Sequence, residues 1–274
     1  MRIDTGTDEL LCELRGRVAT VTLNKPEKRN ALGDILTPAL REVLLRLEAD
    51  SAVGCVVITG ARKAFCAGGD VTEMGSGTPN GTPTVKRTQD ERVAELTRKQ
   101  EALTLRLYEL AKPTIAALPG PAAGAGLSIA LACDLRLAAD TAFLTTAFVN
   151  IGLSGDYGSS WFLNRLVGQA EAKELMFLSE RVGADECLRL GLVNRVFPAA
   201  TFREDAHAYA ERIANGPATA LRLMKRNLNR GALQGLRESL ALEAQHLILS
   251  GQSEDAKEAI SAFVEKRTPN FTFR

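Results

Sequence analysis

The sequence predicts an α/β fold with a mainly parallel sheet and an all-helical final third. Three observations lead there. Short apolar runs that read as strands alternate with helix-period stretches through the first two-thirds of the chain. Strands separated by helices pair in parallel, through right-handed crossovers. From Arg203 onward the amphipathic stretches continue and the strand pattern stops.

Each element carries its own local signal. Leu10–Leu23 reads as a hairpin of two alternating runs turned at Gly16. Asn24–Asn30 is a polar loop broken by Pro26. Leu36–Ala49 has helical spacing, with Leu40, Val43, Leu44 and Leu47 on one side. Cys55–Thr59 is a short apolar run between glycines, the pattern of a buried strand. Phe65–Asp70 is a strand-to-loop turn of small residues. Met74–Asp90 is rich in Gly, Pro, Thr and Ser and reads as a mobile loop, followed by a long helix over Glu91–Leu110. Thr114–Leu118 is a strand, broken at Pro119-Gly120-Pro121. Small residues then lead into an apolar helix, Leu127–Ala132. Leu135–Ala139 is a further strand, and Phe143–Ile151 a strand and turn. A loop over Gly152–Ser160 leads into helices at Trp161–Leu166, Glu171–Leu178 and Ala184–Leu190. Val193–Phe197 is the last strand. Helical stretches at Arg203–Asn215, Pro217–Arg230, Ala232–Ser250 and Ser253–Lys266 complete the chain. The expected organisation is a core over residues 1–200 and a helical region over 201–274.

Bulk properties narrow the function classes. With 274 residues, 45% apolar and 24% charged, the composition is that of an ordinary globular protein with one large domain. A formal net charge of +1 gives no electrostatic case for nucleic acid or a membrane surface as partner. No apolar run approaches the roughly 20 residues that span a bilayer. Met1–Glu9 has no apolar centre, so a signal peptide is not expected. Cys12, Cys55, Cys66, Cys133 and Cys187 form no C-x-x-C pair, which reads as reduced, buried thiols in a cytoplasmic protein. His207 lies in a charged helical stretch and reads as a solvated surface group.

Two turns of small residues, Ala67-Gly-Gly69 and Gly124-Ala-Gly126, carry the chemistry. Small residues let a ligand approach the backbone. A helix that starts at such a turn leaves free N–H groups and the positive end of its dipole there. Two amides converging on one oxygen form an oxyanion hole, each donor worth roughly 3 kcal/mol in the transition state. The same stretches would also serve as tight strand-to-helix turns for packing alone. Neither a P-loop nor a dinucleotide fingerprint is present.

The segments Leu23–Leu32, Ala64–Val71, Lys112–Gly120, Leu131–Leu135 and Ala184–Val196, with the tail Phe263–Pro269, occur in order and at the spacing of a known family. Together they resemble the enoyl-CoA hydratase/isomerase (crotonase) superfamily. The resemblance implies a crotonase (ClpP/crotonase-like) fold of repeated ββα units, with a C-terminal helical trimerisation region. It implies an acyl-CoA thioester as substrate, a homotrimer or a hexamer built as a dimer of trimers, and no cofactor beyond the coenzyme A of the substrate. Carried over by position, the oxyanion donors are the N–H groups of Gly69 and Ala125. The 25–31 loop, with Lys28, Arg29 and Ala31, would line the CoA groove with the backbone of Cys66, Ala67, Asp70 and Val71. Lys28 and Arg29 would meet phosphates, or stand as solvated loop charges. Phe263 and Lys266 would approach CoA from a neighbouring subunit or from their own. The Asp70 side chain opens the sequence Asp-Val-Thr-Glu, which reads as a helix cap.

This sequence departs from the family's hydratases. Their two water-activating glutamates are missing. Ser128 stands at one position, and the other region reads Thr146-Ala-Phe-Val149. Ser128 reads as a small helix residue bonded back to its own turn. One acid remains. Asp156 matches the position at which the family's isomerases hold a catalytic carboxylate. Burial would raise its pKa into the working range of a base. An Asp ahead of Gly-Ser-Ser and a helix is also a good N-cap. Phe143–Phe148, Trp161 and Phe162 would shape an acyl pocket or simply pack the core. The resemblance therefore points to double-bond isomerisation with Asp156 as base. Hydration of an enoyl-CoA, in fatty-acid or aromatic-acid degradation, and non-catalytic acyl-CoA binding are the alternatives.

Overall fold

The computed structural model describes residues 1–70 and 88–272. Its strands are β1 (Arg2–Ile3), β2 (Leu10–Arg15), β3 (Val18–Leu23), β4 (Cys55–Gly60), β5 (Thr114–Leu118), β6 (Ala122–Ala123), β7 (Leu135–Ala139), β8 (Phe143–Thr145), β9 (Val182–Gly183) and β10 (Arg195–Phe197). Seven of them form one sheet in the order β1-β2-β3-β4-β5-β7-β10. The β1–β2 and β2–β3 pairs are antiparallel, and every later pair in this sheet is parallel. A second sheet orders β6-β8-β9 beside the first. The fold is thus mixed α/β with a parallel-dominated sheet and a helical C-terminus.

Helices fill the connections. They are α1 (Leu36–Ala49), α2 (Gln89–Gln100), α3 (Arg106–Glu109), α4 (Ala125–Ala132), α5 (Ser159–Val167), α6 (Gln169–Leu178), α7 (Ala184–Arg189) and α8 (Phe202–Ala214). Three more, α9 (Ala218–Gly231), α10 (Leu236–Gly251) and α11 (Glu254–Glu265), close the chain. No helix among the described residues is long and apolar enough to cross a membrane.

The period of two in the strands splits the core into two layers. Val56 and Ile58 of β4, with Ala116 and Leu118 of β5, face α1 and α4. Cys55, Val57, Ile115 and Ala117 face the other way, onto α8. That helix buries Phe202, Ala206, Ala210 and Ala214, one apolar stripe at a spacing of four. Alanine lets α8 lie close. A Cβ on Gly54 would stand 2.3 Å from the Ala214 carbonyl oxygen. Helix α8, the first after residue 200, thus packs directly on the sheet.

Some expectations are corrected in detail. The long helix over Glu91–Leu110 is broken by a π-helical turn, Glu101–Leu105, where the Arg106 N–H reaches back to the Glu101 carbonyl. Its start lies earlier, at Gln89, under a Thr88–Glu91 capping box, so Asp90 is helical and not in a loop. The rest of that expected loop lies almost wholly outside the described residues. Helix α4 begins at Ala125, two residues before the expected Leu127. His207 is half-buried rather than solvated, and its Nε2 is buried without a hydrogen-bond partner. All five cysteines are buried and free, as expected.

One ion pair between buried Lys225 and half-buried Asp134 ties the C-terminal helices to the base of the sheet. Lys225 of α9 is 9% exposed, and its Nζ donates to Asp134 Oδ2 at 2.8 Å and to the Lys112 carbonyl at 3.2 Å. The same Asp134 oxygen accepts from the Thr114 amide at 2.7 Å and hydroxyl at 2.9 Å, at the first residue of β5. Removing one partner of such a pair strands the other. Lys225→Met is expected to lower unfolding free energy by about 3 kcal/mol in a denaturant titration. A loss below ~0.5 kcal/mol would show that the pair contributes nothing.

Candidate active site

The site sits where β4 and β5 end and their chains turn. After β5 the chain crosses to Gly124, whose φ of 52° and ψ of −129° suit glycine alone, and enters α4 at Ala125. After β4 it passes Phe65 and Cys66 to Gly68, at φ 96°. The two turns are laced together by backbone. The Phe65 amide donates to the Pro121 carbonyl at 3.0 Å, and the Ala123 amide to the Cys66 carbonyl at 2.9 Å. No side chain fits between them. A Cβ on Gly126 would lie 2.6 Å from both Cβ and carbonyl oxygen of Cys66, and one on Gly68 would lie 3.1 Å from the Ala123 oxygen. That same Gly68 Cβ position is 3.5 Å from the Ala125 nitrogen.

Among the amides this lacing leaves unused are those of Gly69 and Ala125. On either side of Gly69, the Leu32 amide donates to Gly68 O at 2.7 Å and the Asp70 amide to Leu32 O at 2.9 Å. The Gly69 amide itself donates to no acceptor among the described residues, and neither does the Ala125 amide at the first position of α4. Both belong to turns in direct contact, at the positive end of a helix whose eight residues are all buried.

Asp156 stands one helical turn along. The single Ser128 hydroxyl proton is shared between the Asp156 carbonyl, 3.0 Å from Oγ, and the Gly124 carbonyl, 3.3 Å away, the latter as expected for a residue bonded to its own turn. The cap reading of Asp156 is corrected. Its main-chain oxygen accepts from Ser159, Gly158 is the N-cap of α5, and no side chain caps that helix. The carboxylate instead turns inward, where Oδ1 is buried with no partner. Burial pushes its pKa up to about 6. The Phe148 ring bridges the two features. A Cβ on Gly124 would meet it at 3.7 Å, and a Cβ on Gly155 at 3.5 Å.

A cleft of about 1120 Å³ leads up to the turns, reaching Ala67 on one and Ala123 on the other. Its wall carries Arg29, Arg62, Lys63, Arg181 and Arg203, and no acid among the described lining residues. Such a wall suits a polyphosphorylated ligand. Arg29, one of the residues expected to line a CoA groove, lies on this wall. Lys28 does not. Its Nζ sits 2.5 Å from Asp70 Oδ2, and Lys25 Nζ is 3.5 Å from the same oxygen. Asp70 is buried as the acceptor for these lysines, and the rest of its proposed cap lies outside the described residues. Ala31 and Cys66 are buried behind the cleft, and burial holds the Cys66 thiol at about 12, so it is inert at neutral pH. Val71 lies outside the described residues. Phe263, 84% exposed on α11, and Lys266 at the end of that helix do not line their own chain's cleft.

Several site residues are not evident from the sequence. For Arg62-Lys63, a basic pair between β4 and the first turn, a local signal exists in the two adjacent charges. Arg181 and Arg203 come from distant segments. Arg203 is aimed by hydrogen bonds to the Gly60 and Arg62 carbonyls at 3.1 and 3.3 Å, and Arg181 by stacking 4.8 Å over the Phe143 ring. Asn30, at φ 59°, clips the 25–31 loop to the turn after β4. Its Nδ2 donates to the Ala61 and Ala64 carbonyls at 3.1 and 2.9 Å.

Comparison with known proteins fits this geometry. The enoyl-CoA hydratase/isomerase family model matches residues 13–274. A probable enoyl-CoA hydratase of Rhodobacter capsulatus is 36% identical over 96% of this chain and 97% of its own. The 1,2-epoxyphenylacetyl-CoA isomerase of Escherichia coli is 34% identical over 96% and 98%. The crystal structure of a putative enoyl-CoA hydratase from Streptomyces coelicolor A3(2) superposes with a TM-score of 0.89 at 35% identity, covering 97% of this chain and 94% of that one. The chain belongs to the enoyl-CoA hydratase/isomerase family, a family of acyl-CoA enzymes with the crotonase fold.

The Asp156 environment has a consequence for stability. The folded carboxyl keeps its proton to about pH 6, whereas an unperturbed one releases it near 3.8. Between those values the native state binds the extra proton, so stability falls as pH rises through the window. Asp156→Asn removes that penalty. Thermal melts are expected to show the variant more stable than the parent above pH 6, with the gain gone near pH 4. A gain that is independent of pH would contradict the buried, uncompensated carboxylate.

Proposed function

We propose that this chain migrates the double bond of an enoyl-CoA thioester. The thioester oxygen lies between the Gly69 and Ala125 amides, at the start of α4. Polarised there, the thioester yields a proton from its α carbon, and the negative charge of the resulting dienolate rests on that oxygen. Asp156 takes the proton and returns it to the γ carbon, which leaves the double bond conjugated with the carbonyl. Atoms and electrons balance within substrate and protein, so the step needs no redox cofactor. The cationic cleft of Arg29, Arg62, Lys63, Arg181 and Arg203 receives the phosphates of coenzyme A.

The observation that carries this reading is the buried, unpartnered Oδ1 of Asp156, a residue whose main chain is bonded to Ser128 on the helix that starts at Ala125. A single carboxylate with a pKa near 6 suits a base that must also give its proton back. The surroundings disfavour water addition by paired acids. Ser128 holds two carbonyls, and Thr146 Oγ1 lies 2.8 Å from the Leu175 carbonyl and 2.7 Å from Ser179 Oγ. We further propose that the chain works as a trimer or a dimer of trimers. Large side chains on its last three helices lie open, among them Leu228, Leu236, Leu247 and Val264. In that assembly Phe263 and Lys266 would reach a neighbour's cleft rather than their own.

Two substrates test the reaction. Incubation with a 3-enoyl-CoA is expected to raise the absorbance of the conjugated thioester, and Asp156→Asn to slow that rise by about 100-fold or more. Loss of conjugated absorbance from a 2-enoyl-CoA would mean hydration instead. Binding without turnover of either, indifferent to Asp156→Asn, would mean a binder.

A further inference from the structure

We propose that Gln100 and Arg41 act through Tyr157 as positioning residues for Asp156, a role that rests on Asp156 being the base. Among the described residues the Asp156 carboxylate has no hydrogen bond to hold it, and its Oδ1 is buried and unpartnered. Its aim must come from its own main chain. On one side, Ser128 Oγ holds the Asp156 carbonyl at 3.0 Å. On the other stands Tyr157, a buried, bulky residue at φ 50°. That left-handed conformation costs roughly 1–2 kcal/mol outside glycine and persists only where neighbours enforce it.

Two neighbours do. The Tyr157 amide donates to Gln100 Oε1 at 2.9 Å, and Arg41 Nη2 of α1 lies 3.5 Å from the Tyr157 hydroxyl. Gln100 is the last residue of α2, at the step into the π turn. One extra residue in a turn rotates the helix before it by about 100° against the helix after it. The break thus lets Gln100 face the Asp156 loop while Leu103 and Leu107 stay in the core. Thr104 Oγ1 donates to the Gln100 carbonyl at 3.2 Å and fixes the break. Leaving a base misplaced by an ångström costs about 100-fold in rate, so a backbone clamp of this kind has a kinetic effect without touching substrate.

Steady-state kinetics on a 3-enoyl-CoA, with Asp156→Asn measured alongside, separate the possibilities. Gln100→Met keeps length but cannot accept the Tyr157 amide. It is expected to lower kcat by about 10- to 100-fold with KM within about twofold. Gln100→Glu offers an acceptor at the same place and restores most of the rate. Arg41→Met moves kcat in the same direction as Gln100→Met, and decides the matter if the latter does not fold. Unchanged kcat in Gln100→Met and Arg41→Met overturns the proposal. So does an equal loss in Gln100→Met and Gln100→Glu, which would trace the effect to packing. An Asp156→Asn enzyme as active as the parent removes the proposal together with the base. An inactive Asp156→Asn beside an unimpaired Gln100→Met removes the positioning role alone.

Discussion

Cys66 and Gly126 meet with no space for another carbon between them, and a Cβ on Gly126 would stand 2.6 Å from the Cys66 carbonyl oxygen. Everything at the site depends on that approach. It brings the turn after β4 onto the first turn of α4, and it consumes the neighbouring backbone groups in bonds between the turns. Left over among the described residues are the Gly69 amide on one turn and, on the other, the Ala125 amide with the rest of the first turn of α4. A side chain pointed at an oxygen can relax away from it, but a main-chain amide in a laced turn cannot. Such fixed donors stabilise developing charge without reorganising as the reaction proceeds.

The second requirement of the proposed reaction is a dry base, and it opposes stability. Asp156 is held where its ionised form is poorly solvated, and Tyr157 beside it keeps a conformation that a free chain avoids. Gln100 and Arg41 hold the second, but among the described residues no hydrogen bond to the buried Oδ1 offsets the first. The compensation lies in the surrounding core. Helices α1, α4 and α8 clamp the sheet from both faces, and Lys225 fastens α9 to the foot of β5, the strand that leads to the second turn. The cationic cleft completes a division of labour. Charge gathers where phosphates would lie, and is kept away from the carboxylate, whose shift comes from burial alone.

Much of this is legible in the sequence, because local pattern sets it. The glycine turns, the strands at Cys55 and Thr114 and helix α1 are all read from neighbouring residues, whereas the absence of both hydratase acids comes from the resemblance to the family. The features that escape it depend on contacts far apart in the chain. Arg203 reaches the cleft from the start of α8, more than a hundred residues past the turn it lines. Helix α8 reads as an ordinary amphipathic helix, and only its alanine stripe against Gly54 reveals a core element. Lys28 reads as a phosphate ligand or a solvated charge, and its pairing with Asp70, from another loop, has no local signal. The inward turn of the Asp156 side chain, against a good capping context, is a tertiary choice that sequence alone leaves open. The π turn has no local marker either, since Glu101–Leu105 carries neither glycine nor proline.

Catalysis of the proposed kind requires that a substrate carbonyl be polarised by the amides of Gly69 and Ala125. Isotope-edited infrared spectroscopy of a saturated acyl-CoA carrying a 13C label at the thioester carbonyl tests this without turnover. Two converging donors at a helix start predict a clear shift of the bound carbonyl stretch to lower frequency than in water. A bound carbonyl absorbing at or above its frequency in water would contradict that requirement, because the thioester would then meet fewer donors in the protein than in solvent.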